Sequence, residues 1–137
     1  MTLDEIKEVL SCPSARRWSG DDYHKDIDII NPNHTYFKCE DNEGVCGFFL
    51  FVPKSSVEYD SHVAFKRSSW GKTLEHGFKA IEFMSGMCSK LTCEIPVDNR
   101  MAINYAIRLG FKIEGLNRSS FMRNGSLINK LHLGLEI

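Results

Sequence analysis

Residues 96–115 read PVDNRMAINYAIRLGFKIEG, and this stretch decides the fold. A helix starts near Asn99, since Ala102, Tyr105, Ala106 and Leu109 recur on one face of a 3.6-residue period. Gly110 stands where a C-terminal cap belongs, because glycine enters the left-handed backbone region with no side-chain penalty. Before the helix, KLTCEIPV reads as a strand whose end accommodates Pro96. After it, FKIEGL reads as another. Strand, helix, strand is the signature of an α/β layer.

Upstream, Leu74, Phe78, Ile81 and Met84 fall at offsets of 4, 7 and 10, which predicts a helix with these residues on its core face. The loop KRSSWGK separates it from VEYDSHVAF, a predicted strand. Further back, TYFKCE, the turn DNEG and VCGFFLFVP form a hairpin signal. The second arm is apolar almost throughout, as in a central strand covered on both faces. Leu3–Leu10 predicts a first helix, opened by Thr2 with Asp4 and Glu5 in its first turn and stopped by Pro13. Residues 14–34 carry little periodicity: SARRW allows a helical turn, while GDDYHKD and NPNH read as loop. Downstream, SSFMR and LINKLHLGLEI flank the turn NGS. The order is helix, three strands, helix, strand, helix, two strands: an α/β fold (an α+β mixed sheet) in a single domain, residues 1–137.

Composition narrows the function. The chain has 137 residues, 42% hydrophobic and 26% charged, which fits one globular domain and excludes disorder. Its net charge of -1 lacks the basic excess of a nucleic-acid coat, so no nucleic acid is expected as partner. No apolar run approaches the ~20 residues that span a bilayer, and MTLDEIKEVL lacks a signal-peptide pattern, so a cytoplasmic protein without membrane contact is expected. The scattered cysteines, Cys12, Cys39, Cys46, Cys88 and Cys93, read as reduced thiols. Without C-x-x-C or H-x-x-x-H spacing, no metal is expected.

Chemistry concentrates at the junction from Phe65 to Leu74. A loop of small residues entering a helix presents free backbone N–H groups and the positive end of the helix dipole. Lys66, Arg67 and Lys72 add cations there, so the junction suits an anion. Gly71, Lys72 and Thr73 imitate the end of a P-loop, but Lys66 stands where that motif needs its first glycine. A nucleotide triphosphatase is excluded.

The spacing Asn99, Ala102, Leu109-Gly110-Phe111 and Glu114-Gly115 resembles the N-acetyltransferase superfamily called GNAT, where N-x-x-A, L-G-F and E-G mark the fourth helix and sixth strand. The element order agrees from Tyr36 onward, about three-quarters of the chain. The resemblance implies a GNAT-like acyl-CoA N-acyltransferase fold and an acetyl-CoA-dependent transfer to an amine acceptor. Acetyl-CoA, as co-substrate, would lie in a V where two central strands splay apart. Val63, Ala64 and Phe65 would offer backbone groups to the pantetheine arm. Lys66, Arg67, Ser68, Gly71, Lys72 and Thr73 would hold the pyrophosphate, and Asn99 would border the acyl end. The family's loop reads Q/R-x-x-G-x-G/A. Matching Gly71 to its first glycine places Ser68 and Thr73 at the outer positions, so one glycine of the motif survives.

Many members of the family carry a tyrosine seven residues after the asparagine, where it protonates the departing thiolate. That position is Ala106, and Tyr105 lies one residue earlier, ~100° around the helix. Tyr105 is the candidate acid only if the register shifts; otherwise it is a core aromatic on an apolar stripe. An amine with pKa near ~10.4 must lose a proton before it attacks. Glu58, Asp60 and His62 alternate along VEYDSHVAF and share one face. Imidazole titrates nearest neutrality, so His62 is the candidate base, with Glu58 acting through water as the alternative. Glu75 and His76, in a helix first turn, read as solvated or capping groups.

The segments WGK, P-x-x-N-R-x-A, GLNRSSFMRNGSL and LGL resemble a group of small phage-encoded GNAT-like proteins, some of them similar to head-assembly proteins of short-tailed phages. This implies an alternative: a phage protein on the same fold without catalysis, acting in virion or head assembly beside phage structural proteins, in the host cytoplasm or virion-associated. Trp18, Trp70 and Phe121 would then supply a partner surface. Trp70 is also the side chain expected to plug the groove beside Asn99 if that groove is closed. The family often dimerises, so a homodimer is a further expectation.

Overall fold

The computed structural model describes residues 1–13 and 29–137. Six strands form one sheet: β1 (Thr35–Asp41), β2 (Gly44–Pro53), β3 (Glu58–Phe65), β4 (Lys90–Pro96), β5 (Lys112–Arg123) and β6 (Ser126–Glu136), in the order β1-β2-β3-β4-β6-β5. Neighbours run antiparallel except β3 and β4, which are parallel. Helices α1 (Leu3–Leu10), α2 (Thr73–Met84) and α3 (Arg100–Leu109), with a 3-10 turn at Arg67–Ser69, complete the described elements. The predicted order and mixed sheet are both observed. The SARRW turn, the GDDYHKD loop and Trp18 lie outside the described residues.

Local chemistry explains the boundaries. Thr2 caps α1 through a reciprocal box: its side chain accepts from the Glu5 N–H, and the Glu5 carboxylate accepts from the Thr2 N–H. The helix closes at Ser11, before Pro13 is reached. Asn99 caps α3 by accepting the Ala102 N–H at 3.2 Å, and Gly110 ends it at φ 107°. Asn124 and Gly125, at φ 52° and 77°, form the tight β5–β6 turn.

Strand alternation sends Phe49 and Phe51 of β2 into a core with Ala80 and Met84 of α2 and Ala106 and Leu109 of α3. Phe48 points the other way, into a smaller core with Ile6 and Val9 of α1. The central strand is therefore covered on both faces, as its composition predicts.

Of the predicted core face of α2, Leu74, Ile81 and Met84 pack against the core. The helix also buries His76, Gly77 and Ala80, while Phe78 is 51% exposed. The cause is the closeness of α3: a Cβ on Gly77 would lie 2.5 Å from the Tyr105 hydroxyl and 2.6 Å from a Leu109 methyl. Only small residues fit that contact, so the aromatics turn outward. His76, expected to be solvated, is 8% exposed.

The feature that positions the site is a parting of the sheet. β3 and β4 pair only at Glu58–Lys90, Tyr59–Leu91 and Asp60–Thr92. Beyond them β3 stays on β2 as far as Phe65, and β4 stays on β6 as far as Pro96. Each strand follows its outer neighbour, and a V opens between them.

Candidate active site

The V leads into a cleft of about 280 Å³. Ser61, His62 and Val63 of β3 form one wall and Cys93 to Pro96 of β4 the other, with α3 behind and Phe121 and Lys130 in front. Past Asp60, the inner edge of β3 faces this opening with no strand paired to it. Such an edge hydrogen-bonds an extended, amide-bearing chain as an added strand would. Of the residues assigned there, Val63 is 38% exposed, while the Ala64 side chain packs against α1 and the Phe65 ring against Tyr105. Ala64 and Phe65 have only backbone to offer.

The loop after β3 is more ordered than its sequence announces. Arg67–Ser69 curl into a 3-10 turn, and buried Ser69 donates to the Lys66 carbonyl at 2.7 Å. Lys66 Nζ lies 2.6 Å from Glu8 Oε1 of α1, so this cation already has an anion. The Arg67 guanidinium sits 5.5 Å from the centre of the Trp70 ring. No side chain caps the first turn of α2, and a Cβ on Gly71 would meet nothing within 4 Å. Ser68 lies inside the 3-10 turn, and Lys72 and Thr73 flank the uncapped helix start. An incoming anion meets backbone N–H groups and open space there.

Trp70 does not line the cleft, so the groove beside Asn99 is not plugged by it. Asn99 lines the cleft while capping α3.

His62 lines the opening, and its Nε2 lies 3.0 Å from Asp60 Oδ2. Glu58 is different. It sits where the strands are still paired, opposite Lys90, with its carboxylate 3.3 Å from Lys54. As the alternative base it is misplaced, because the closed end of the V separates it from the cleft. Tyr105 puts its ring on the cleft wall but donates its hydroxyl to the Thr73 carbonyl, and burial pushes the phenol up. With its proton donated to the Thr73 carbonyl, the Tyr105 hydroxyl is not aimed at a leaving group in this structure.

Solved structures share this architecture. Spermidine N-acetyltransferase from Vibrio cholerae, in complex with CoA and spermine, aligns at TM-score 0.82 and 13% identity over 99% of this chain and 92% of its own. A protein of Streptococcus mutans UA159 aligns at 0.75 and 14% identity, over 99% and 96%. An acetyltransferase of the GNAT family from Streptococcus pneumoniae aligns at 0.67 and 20% identity, over 77% and 68%. The fold is that of GNAT acetyltransferases. No family model and no curated protein matches the sequence.

On this GNAT frame, the cleft holds residues that sequence reasoning missed. Glu94 faces the opening from β4, two residues past Thr92, as His62 stands two past Asp60. Burial works to raise its pKa, yet Lys130 at 2.9 Å and the Asn117 amide at 3.3 Å outweigh that and hold it below the usual carboxylate range. The alternation Lys90, Thr92, Glu94 was legible, but Lys130 is a partner only through the β4–β6 register. Ser61 lines the cleft, with its Oγ buried and, among the described residues, without a hydrogen-bond partner. Leaving such a group unpaired costs ~1–3 kcal/mol. Cys93 lines the cleft too, but burial pushes its thiol up to about 12, so it is no nucleophile near neutral pH. Among the described residues no His, Cys, Asp or Glu group is placed to hold a metal, and no helix is long and apolar enough to cross a membrane.

Proposed function

We propose that this chain is an acetyl-CoA-dependent N-acyltransferase acting on an amine. The observation that carries the reading is the parting of β3 and β4, which leaves the inner edge of β3 unpaired among the described residues. These residues fit the co-substrate. The edge at Val63 to Phe65 suits its amide-bearing arm, the uncapped start of α2 with Gly71, Lys72 and Thr73 suits its diphosphate, and Asn99 borders the acyl end. When bound, acetyl-CoA supplies an acyl group activated as a thioester. The chain's own work is to juxtapose the reactants, exclude water with Phe49, Ile95 and Leu109, and take a proton from the acceptor at His62.

Calorimetry with acetyl-CoA, joined to acetylation assays of spermidine, spermine and n-butylamine, tests the reading. Binding is expected, with turnover of at least one amine and loss of turnover but not binding in His62→Gln. No binding at millimolar acetyl-CoA overturns it.

A second reading, the non-catalytic phage head-assembly protein, is favoured by the commitment of Lys66 to Glu8 and of the Tyr105 hydroxyl to Thr73. Both groups are spent inside the molecule. Co-purification with phage particles, together with full function of His62→Gln in head maturation, would select it.

A further inference from the structure

We propose that Asp60 is a positioning residue that clamps the His62 imidazole, so that Nδ1 is the nitrogen presented to the acceptor amine. The inference rests on the transferase reading. Its geometry comes from where the two residues stand at the fork of the sheet. Asp60 is the last β3 residue held on both sides, by Val52 of β2 and Thr92 of β4. His62 is held on one side only, by Leu50 of β2, and its imidazole is 58% exposed at the opening. An imidazole on a half-free edge has rotamers to choose among, and a carboxylate on a doubly paired position removes that choice.

The contact also fixes the proton. Ionised carboxylate only accepts hydrogen bonds, and Nε2 lies at ion-pair distance from it, 3.0 Å from Asp60 Oδ2, so the clamp places the hydrogen on Nε2. In neutral His62 the free lone pair is then on Nδ1. Among the described residues, Glu58 is engaged with Lys54, Glu94 with Lys130, and Glu114 with Lys90. His132 lies between Glu94 and Glu114, at 3.7 and 3.8 Å. Among the described residues, Asp60 is the carboxylate within ion-pair distance of His62.

The step balances as a single proton transfer. The acceptor arrives as an ammonium; one N–H bond breaks, its proton goes to Nδ1, and the electron pair stays on the acceptor nitrogen as the nucleophile. Asp60 stays ionised and steadies the imidazolium through Nε2–H. Nδ1 then returns the proton to water.

Two measurements test this on the full-length protein. In proton NMR at low temperature, the His62 Nε2–H, assigned by its absence in His62→Gln, is expected downfield and resolved from water in wild type. In Asp60→Ala it is expected to merge with water. In assays with spermidine, spermine and n-butylamine, Asp60→Ala is expected to lower kcat ~10- to 100-fold, within the ~10²–10⁴ that an acid–base group contributes, with KM for acetyl-CoA unchanged. Asp60→Asn, which keeps an acceptor oxygen, is expected to recover part of both signals. A protected Nε2–H that survives in Asp60→Ala overturns the clamp. So does an unchanged kcat in Asp60→Ala beside an impaired His62→Gln. Protection in wild type with no amine acetylated overturns the transferase reading itself, and Asp60 would then orient a histidine without a reaction.

Discussion

Cys46 Sγ lies 3.6 Å from His76 Nε2, a buried contact that ties β2 to the first turn of α2 just beneath the candidate anion loop. Burial lowers the His76 pKa from its ordinary 6.5, so the imidazole is neutral in the fold. The unfolded chain takes up a proton as pH falls past about 6.5, while the folded one does not until its lower pKa is reached. Stability is therefore full above that value and lost as pH drops through the interval below it. Urea unfolding from neutral pH downward is expected to show this slope, and His76→Gln to flatten it. An equal slope in the variant would assign the acid sensitivity to other groups.

The alkaline side has a different origin. Burial raises the thiols of Cys39 and Cys93 from 9.0 to about 12. Thiols that ionise only in the unfolded chain make stability fall as pH rises past about 9. At mildly alkaline pH the native protein is expected to resist iodoacetamide at both cysteines, as mass spectrometry would show, and to react at both in urea. Rapid native modification of Cys93 would mean that the cleft admits reagent to an ionised sulfur.

Much of the fold was legible because the signals were local. Thr2 and Glu5, or Asn99 and Gly110, announce helix ends within a few residues of each other. The outward turn of Phe78 was not, because spacing alone grouped it with Leu74, Ile81 and Met84, which do face the core. The tight α2–α3 contact is made instead by Gly77 against Tyr105 and Leu109, on a helix distant in sequence. The site divides the same way. His62 could be placed by strand alternation, whereas the commitments of Lys66 to Glu8, Tyr105 to Thr73 and Glu94 to Lys130 arise only when separate elements meet.

Tyr105→Phe separates the structural role of the hydroxyl from a catalytic one. The variant loses one hydrogen bond and leaves the Thr73 carbonyl short of a partner, a loss of about 1 kcal/mol. A fall in Tm of ~2–8 °C is expected, with kcat for any acetylated amine within about twofold of wild type. A loss of ~10²-fold in kcat would restore Tyr105 as the acid.

Gly47 and Gly134 are both strand glycines, yet they predict opposite outcomes. A Cβ on Gly47 would strike the Phe65 ring and stand 2.7 Å from the Ala64 carbonyl, and neither can move without disturbing the β2–β3 pair. A Cβ on Gly134 would meet the far end of Glu114, a flexible carboxylate that can swing away from Lys90. Gly47→Ala is expected to cost ~1–3 kcal/mol or more in urea unfolding, and Gly134→Ala less than ~1 kcal/mol. Equal losses would mean that the Glu114–Lys90 contact is worth more than a partly exposed pair normally is.

Glu8 and Lys66 offer the sharpest test of the anion loop. Their 2.6 Å contact joins α1 to the residue that follows β3, with side chains 56% and 25% exposed. Exposed pairs add only ~0–1 kcal/mol to stability, so breaking this one should leave Tm nearly unchanged. Its effect on binding has a different sign. With Glu8 neutralised, Lys66 becomes available to an anion in the adjoining loop, and Glu8→Gln is expected to tighten acetyl-CoA binding ~2- to 5-fold at low salt, the equivalent of up to ~1 kcal/mol. The gain should shrink at high ionic strength, where such charges are screened. Deleting an acid near any anion site raises affinity through space, so Glu8→Gln must also be made on a Lys66→Ala background. If the gain persists there, Lys66 is not its carrier; if it vanishes, the two residues act as one unit and Glu8 is an internal competitor for the diphosphate.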